Sequence, residues 1–388
     1  MPYFMNKKET NRNTPTQIVI YVGVSFLFLL LLSSCSFDHS SDKEHIDPYI
    51  YSLLDSLAQS NVAQTTITLP DDIVQPNAVE LINNGNNIIV SDFAKNQLFY
   101  LNSDGEILSV AGGSGRGPGE YELLTRLTLG NDHRIYVHDG ILRRITVYEI
   151  ADSEFRLLDT QSYETPDILT LYEVYITKDG TFGLYNESGG FEKPENRNLL
   201  YRLDENYSPV EQILAFPGDE RYGMDVGGFW MYAPHDYTNE YQWIQDEHMF
   251  YYVNNYDALI RMYDLKTDEN TVLIETNLPE RPNNEYFLTA ADSLFHFDSD
   301  KDYWKVLENH EFLPVISGVW ADSSNIVLGI VAAPGDEAVM LLLDRVKSEW
   351  SYFKLPPGSG FATLYENAFY SIIMDEEGKH YLMKTTFQ

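Results

Sequence analysis

His235 and His248 bracket Asp236, Glu240, Asp246 and Glu247. Imidazoles and carboxylates set this close could hold a metal or pass protons to a substrate. It is the richest such cluster in the chain, although a polar surface loop has the same composition. His133 and His138 flank a strand-like run. Their odd spacing points them to opposite faces, which opposes a shared metal. Asp298-Ser299-Asp300-Lys301-Asp302 begins like a calcium loop. Tyr303 and Asn309 then stand where such a loop needs glycine and glutamate. No GxSxG string, HExxH helix or CxxC pair occurs. Acidic residues are too many for a carboxylate pair alone to mark a glycoside-hydrolase site. No catalytic residue, metal or cofactor is therefore assigned.

Aromatic side chains are a second source of chemistry. Tyr222, Phe229, Trp230, Tyr232, Tyr237 and Trp243 crowd one segment, with His235 and Asp236 among them. Flat apolar faces with polar edges suit sugar rings or a protein partner. These eight residues are the candidate ligand-binding set, weighed against plain core packing.

The third feature is Cys35, the single cysteine. The apolar run Ile18 to Leu32 precedes it, with Lys7, Lys8 and Arg12 before that run and Ser33-Ser34 after it. A basic stretch, a short apolar core and small residues form a secretory signal. The run is shorter than the roughly 20 residues needed to span a bilayer. With one thiol, no internal disulfide can hold the fold in an oxidising compartment.

The formal net charge is −33. Residues 1–34 carry Lys7, Lys8 and Arg12 against Glu9, so the acidity falls on the remainder. Nucleic acid is excluded as a partner, because phosphate binding needs a basic stripe. Direct adsorption to anionic lipid is disfavoured for the same reason. Ser36 to Lys43 is polar and aperiodic, and reads as a flexible tether.

Short runs rich in Val, Ile, Tyr and Phe must position these groups. They alternate with Asn, Asp and Gly turns from Thr65 onward. Asn87–Asp92, Gln97–Leu101 and Ile107–Val110 form a meander, and the unit recurs. Asp92, Asp139 and Asn186 are spaced by 47 residues each time. A period of about 40–50 residues with several strands per unit marks a β-propeller. The Asp/Asn series reads as a turn-capping device. The chain ends on part of a unit, and Thr65–Leu69 could supply the missing strand, which makes six blades and leaves no open seam. The predicted organisation is a signal peptide at 1–34, a lipidated cysteine and tether at 35–61, and the propeller at 62–388. Insertions break the period near 216–243 and 279–314. The second insertion holds a helix-like stretch from Asp302 to Asn309.

Five glycines and a proline fall within residues 112–120. Such a string is neither strand interior nor helix, so it links the first two units. No Lys-Ser/Thr and no helix follows it, which argues against a phosphate loop.

Cys35 behind Leu32-Ser33-Ser34 resembles the lipobox of bacterial lipoproteins. That resemblance implies a diacylglyceryl thiol at the start of the mature chain. Acyl chains contribute about 0.8 kcal/mol per buried CH2, and more than one gives stable anchoring. Ser36, in place of aspartate, implies sorting to the outer membrane of a Gram-negative envelope. Gly115-Arg116-Gly117-Pro118-Gly119-Glu120-Tyr121 resembles the string found after the first blade of six-bladed TolB-like or NHL-like propeller lipoproteins. The resemblance spans about residues 62–388 and implies fold more than function. The expected role is a membrane-anchored, non-catalytic binding or scaffold module for a glycan, peptide or envelope protein. The alternative is a polysaccharide hydrolase or lyase with His138, His235 and Asp236 converging at the propeller channel.

Overall fold

The computed structural model describes residues 47–130, 132–166, 169–188, 196–218, 221–226, 229–234, 241–246, 248–255, 259–283, 311–331, 336–357, 359–375 and 377–388. For 221–226, 229–234 and 241–246 the description is of backbone alone. Cys35 and the leader lie outside these residues.

The described chain begins at Asp47, whose carboxylate caps α1 (Pro48–Asp55) by accepting the Tyr49 N–H at 2.9 Å. Pro48 sits in the first turn, where no N–H is needed. Tyr49, Ile50 and Leu53 are buried against Val315, Ile316 and Ile330. From Asp47 on, the segment that composition assigns to the tether is thus packed onto the propeller. Strands β1 (Ala58–Gln59) and β2 (Val62–Thr68) follow.

Four meanders come next. Blade 1 is β3 (Pro76–Ile82), β4 (Asn87–Asp92), β5 (Gln97–Asn102) and β6 (Ile107–Gly112). Blade 2 is β7 (Leu124–Leu129), β8 (Ile135–Asp139), β9 (Arg144–Ala151) and β10 (Glu154–Ser162). Blade 3 is β11 (Leu169–Thr177), β12 (Gly180–Ser188), β13 (Asn196–Leu203) and β14 (Pro209–Pro217). A hairpin, β15 (Arg221–Val226) and β16 (Phe229–Pro234), fills the first insertion. Blade 4 is β17 (Tyr241–Asp246), β18 (Met249–Asn254), β19 (Leu259–Asp264) and β20 (Glu269–Glu275).

Strands β21 (Arg281–Pro282) and β22 (Phe312–Leu313) pair across the second insertion, whose Asp302–Asn309 stretch lies outside the described residues. Blade 5 is β23 (Ile316–Ala321), β24 (Asn325–Ile330), β25 (Ala338–Asp344) and β26 (Glu349–Leu355), with β1 added in parallel at its outer edge. Blade 6 is β27 (Ala362–Tyr365), β28 (Ala368–Met374), β29 (His380–Phe387) and then β2. The register runs antiparallel from Val62 opposite Phe387 to Thr68 opposite Tyr381. The strand expected near Thr65–Leu69 therefore closes the ring, and the fold is an all-β six-bladed propeller.

Burial follows from this stacking. Second strands lie between neighbouring blades, so β24 is buried at every position. Outer strands face water, and β10 is mostly exposed. Phe99, Phe182, Phe250, Phe353 and Phe369 fill the spaces between sheets with almost no exposed surface. Full burial of such a side chain contributes about 1.5–3 kcal/mol. Asp92 and Asp139 recur at the ends of β4 and β8. Asp92 accepts the Gln75 N–H at 3.0 Å and the Lys95 N–H at 2.9 Å. Asp139 accepts the Glu122 N–H and the Leu142 N–H, each at 2.8 Å. Each carboxylate ties the segment entering its blade to a turn within it, as the capping reading expected. Asn186, at the next period, donates its amide to Asn198 across the sheet at 3.3 Å.

Candidate functional site

A channel runs between the innermost strands, and a cavity of about 980 Å3 opens at the end where those strands finish. All six blades contribute. Glu80 comes from β3, Leu127 and Leu129 from β7, and Glu173 and Tyr175 from β11. Tyr251 comes from β18, Trp320 and Asp322 from β23 and its turn, and Tyr365 and Glu366 from β27 and its turn.

The charged groups of this cavity are arranged unevenly. Arg126 Nε lies 3.2 Å from Glu173 Oε1. The Tyr175 hydroxyl donates to Glu173 Oε2 at 2.5 Å. Burial, and then the Glu173 charge, holds that phenol well above its ordinary range, so it remains a donor. Arg345 donates to the Tyr251 hydroxyl at 3.2 Å and to the Asp322 carbonyl at 2.8 Å. Glu80 is half-buried in the channel wall and has neither hydrogen-bond donor nor counter-ion among the described residues. Burial, and then the negative Glu173 across the channel, pushes its carboxyl up to about 8.

Sequence reasoning did not pick out this constellation, yet it left a signal. Glu80, Arg126 and Glu173 follow one another at 46 and 47 residues, one blade period each. Each interrupts an otherwise apolar or uncharged inner strand. A charge repeated at the blade period on first strands marks a channel wall.

The histidines fare differently. His138 is 3 % exposed. Its Nδ1 lies 2.9 Å from the Thr125 hydroxyl and its Nε2 lies 2.7 Å from the Tyr163 hydroxyl. Burial, and then the Arg126 charge, lowers it to about 3, so it is a neutral packing residue and not a channel base. His235, Asp236 and Tyr237 lie outside the described residues, so their convergence on the channel is not part of this geometry. Among the described residues, no three His, Cys, Asp or Glu side chains come together to hold a metal ion.

The aromatic candidates divide by place in the fold. Tyr222 lies on β15, and Phe229, Trp230 and Tyr232 lie on β16, where Gly223 pairs with Tyr232 and Asp225 with Trp230. This hairpin joins the end of blade 3 to the start of blade 4, the end of the propeller opposite the cavity. Trp243 lies on β17, the innermost strand of blade 4.

The glycine string also sits at that opposite end, between β6 and β7. Gly112 has φ +91°, and a Cβ there would fall 2.6 Å from the Asn96 carbonyl oxygen. Gly117 donates to Glu120 Oε2 at 2.8 Å. Tyr121 is wholly buried, its hydroxyl donating to that of Tyr148 at 3.1 Å. Arg144 donates to the carbonyls of Arg116, at 3.0 Å, and Glu120. The string is a built link between blades, and the N–H groups of Gly115, Gly117, Glu120 and Tyr121 are spent on its own closure.

Fold and channel together define a six-bladed β-propeller with a cavity at the mouth of its axis. A family model described as a 6-bladed beta-propeller, DUF5128, matches residues 71–217. No curated protein matches the chain. Among solved structures, a Bacteroides fragilis protein described as exported is 15% identical. That match covers 86% of this chain and 97% of the other at a TM-score of 0.55. A DUF4221 family member from Bacteroides vulgatus is 11% identical over 85% and 99% of the two chains, at 0.49. Virginiamycin B lyase from Staphylococcus aureus is 11% identical over 84% and 100%, at 0.43. At these identities the likeness is one of fold. Among the described residues, no helix is long and apolar enough to cross a membrane.

Proposed function

We propose that this protein is a lipid-anchored envelope lipoprotein that acts as a non-catalytic binding module, with its ligand seated at the channel mouth. One observation carries the reading: a cavity of about 980 Å3 is walled by all six blades and mixes Tyr175, Tyr251, Trp320 and Tyr365 with carboxylates. Ligand sites are concave, largely pre-formed and lined by aromatic groups with a few placed polar ones.

Support for the anchor comes from the apolar run, Ser33-Ser34 and Cys35. The exported character given for the Bacteroides fragilis protein agrees with secretion. Gly115 to Tyr121 lends the TolB-like or NHL-like lipoprotein resemblance its detail. The engagement of both His138 ring nitrogens by Thr125 and Tyr163 weighs against a part for that imidazole in the hydrolase or lyase alternative.

Thermal shift on residues 36–388 against glycans, cell-wall fragments, peptides and divalent metals tests the reading. A saturable rise in Tm with one ligand class, abolished by Tyr365→Ala in a folded variant, is the expected result. Ligand turnover, or a Tm rise unchanged in that variant, would overturn it.

A further inference from the structure

The chemistry of the mouth narrows the ligand. An anion would meet Glu80, Glu173, Asp322 and Glu366 together. Among the described residues the one lining cation, Arg345, already donates to Tyr251 and to the Asp322 carbonyl. A hard divalent ion needs several converging oxygen ligands. No such group of three forms among the described residues. A neutral sugar would cover Glu80 without supplying the positive partner it lacks.

We propose that the channel mouth binds an alkylammonium group, its charge held between Glu80 and Glu173 and its carbon chain laid against Trp320 and Tyr365. The proposal rests on the channel mouth being the binding site. An ammonium donates up to three hydrogen bonds and can serve both carboxylates at once. Its methylenes lose water against aromatic rings, and the rings attract the charge itself. Arg126 and the Tyr175 hydroxyl engage the two carboxylate oxygens of Glu173, at 3.2 and 2.5 Å, and hold it in place.

The arrangement also couples binding to a proton. Glu173 and Tyr175 from blade 3 and Tyr251 from blade 4 line the cavity with Glu80, and Arg126 from blade 2 pairs with Glu173. Arg345 and Asp322 from blade 5 and Glu366 from blade 6 complete the ring. Glu80 ionises reluctantly there, at about 8, until a positive charge arrives beside it. Entry of the ammonium therefore expels a proton into the buffer.

Titration calorimetry on folded residues 36–388 at pH 7 tests this with three probes: spermidine, a blocked lysine-containing pentapeptide, and neutral chitohexaose. The expected result is one-to-one binding of an amine probe, with a heat that changes with the buffer's ionisation enthalpy. Glu80→Gln and Glu173→Gln should each weaken it about fivefold or more, roughly 1 kcal/mol. Glu349→Gln, on the outer strand of blade 5, should leave it unchanged. Spermidine binding without the peptide identifies a free polyamine as source, and the reverse identifies a protein side chain. Chitohexaose binding with no amine binding would overturn the cation and leave the mouth as a site. Silence from all three probes at millimolar concentration would overturn both readings. Equal weakening by Glu349→Gln would show diffuse attraction to the acidic surface, and would also overturn the cation site.

Discussion

Arg281 and Asp47 form an ion pair whose two side chains have no exposed surface. They lie 234 positions apart in the chain, yet they close the junction of blades 4 and 5. Arg281 also donates to the Val331 carbonyl, and its guanidinium lies 5.5 Å from the Tyr49 ring centroid. The Tyr49 hydroxyl donates to the Pro279 carbonyl at 2.9 Å. The start of the packed chain is thereby fastened at the end of the propeller opposite the cavity.

Removing one partner of such a pair leaves a buried charge without compensation. Asp47→Ala is expected to cost about 3–5 kcal/mol. Asp47→Ala combined with Arg281→Met should recover part of that loss, because no lone charge remains. Urea denaturation of the two variants and of Arg281→Met completes the cycle. A double variant no better than Asp47→Ala would count against the pairing.

The link between blades 1 and 2 makes a paired prediction about glycine. Gly112 and Gly113 both have positive φ, +91° and +138°. A Cβ at Gly112 meets the Asn96 carbonyl at 2.6 Å, whereas one at Gly113 meets nothing within 4 Å. Both alanine variants carry backbone strain of about 1–3 kcal/mol. Gly112→Ala adds a clash and should melt at the lower temperature. Equal melting temperatures would show that the Asn96 contact yields without cost.

His138 should stay neutral far below the usual imidazole range. Its folded value, about 3, lies beneath the unfolded one, so the unfolded chain binds the extra proton first. Stability from this group is full above the unfolded value and is lost as pH falls through the window toward 3. The slope is about 1.4 kcal/mol per pH step within that window. Imidazole NMR should show no titration of His138 between pH 7 and 4.5. An ordinary titration near 6.5 would refute its enclosure by Thr125 and Tyr163.

Glu80 carries the opposite sign. Its folded value, about 8, lies above the ordinary carboxylate range, so the folded protein holds the proton longer. Stability attributable to it falls as pH rises from the ordinary range to about 8. Glu80→Gln should therefore gain on the wild type by about 1–3 kcal/mol between pH 5 and 9, channel water damping the full effect. Urea midpoints at pH 5, 7 and 9 check this. A difference constant across pH would mean that Glu80 ionises freely.

The propeller itself was legible in the residues. Alternation of β-branched and aromatic residues, turn residues and the 47-residue spacing of Asp92, Asp139 and Asn186 are local features, each repeated in every early blade. The closing strand was legible for a simple reason: the chain ends one strand short of a blade, and an unpaired edge demands a partner. The glycine string announced a tight link because only glycine tolerates those backbone angles.

The site was not legible in the same way. Its groups come from six blades, and strand periodicity says which residues alternate but not which ring of them meets at the axis. The burial of His138 against Tyr163 was not legible either, because it is a contact between distant segments. Likewise Asp47 reads as one more acid in a polar stretch until Arg281 is brought beside it. Sequence alone determined the repeat, the closure and the links, since these rest on backbone preference and neighbouring side chains. Tertiary structure alone decided that Glu80 and Glu173 line one cavity and that Asp47 meets Arg281. Closing the ring juxtaposes residues whose separation in the chain carries no energy of its own.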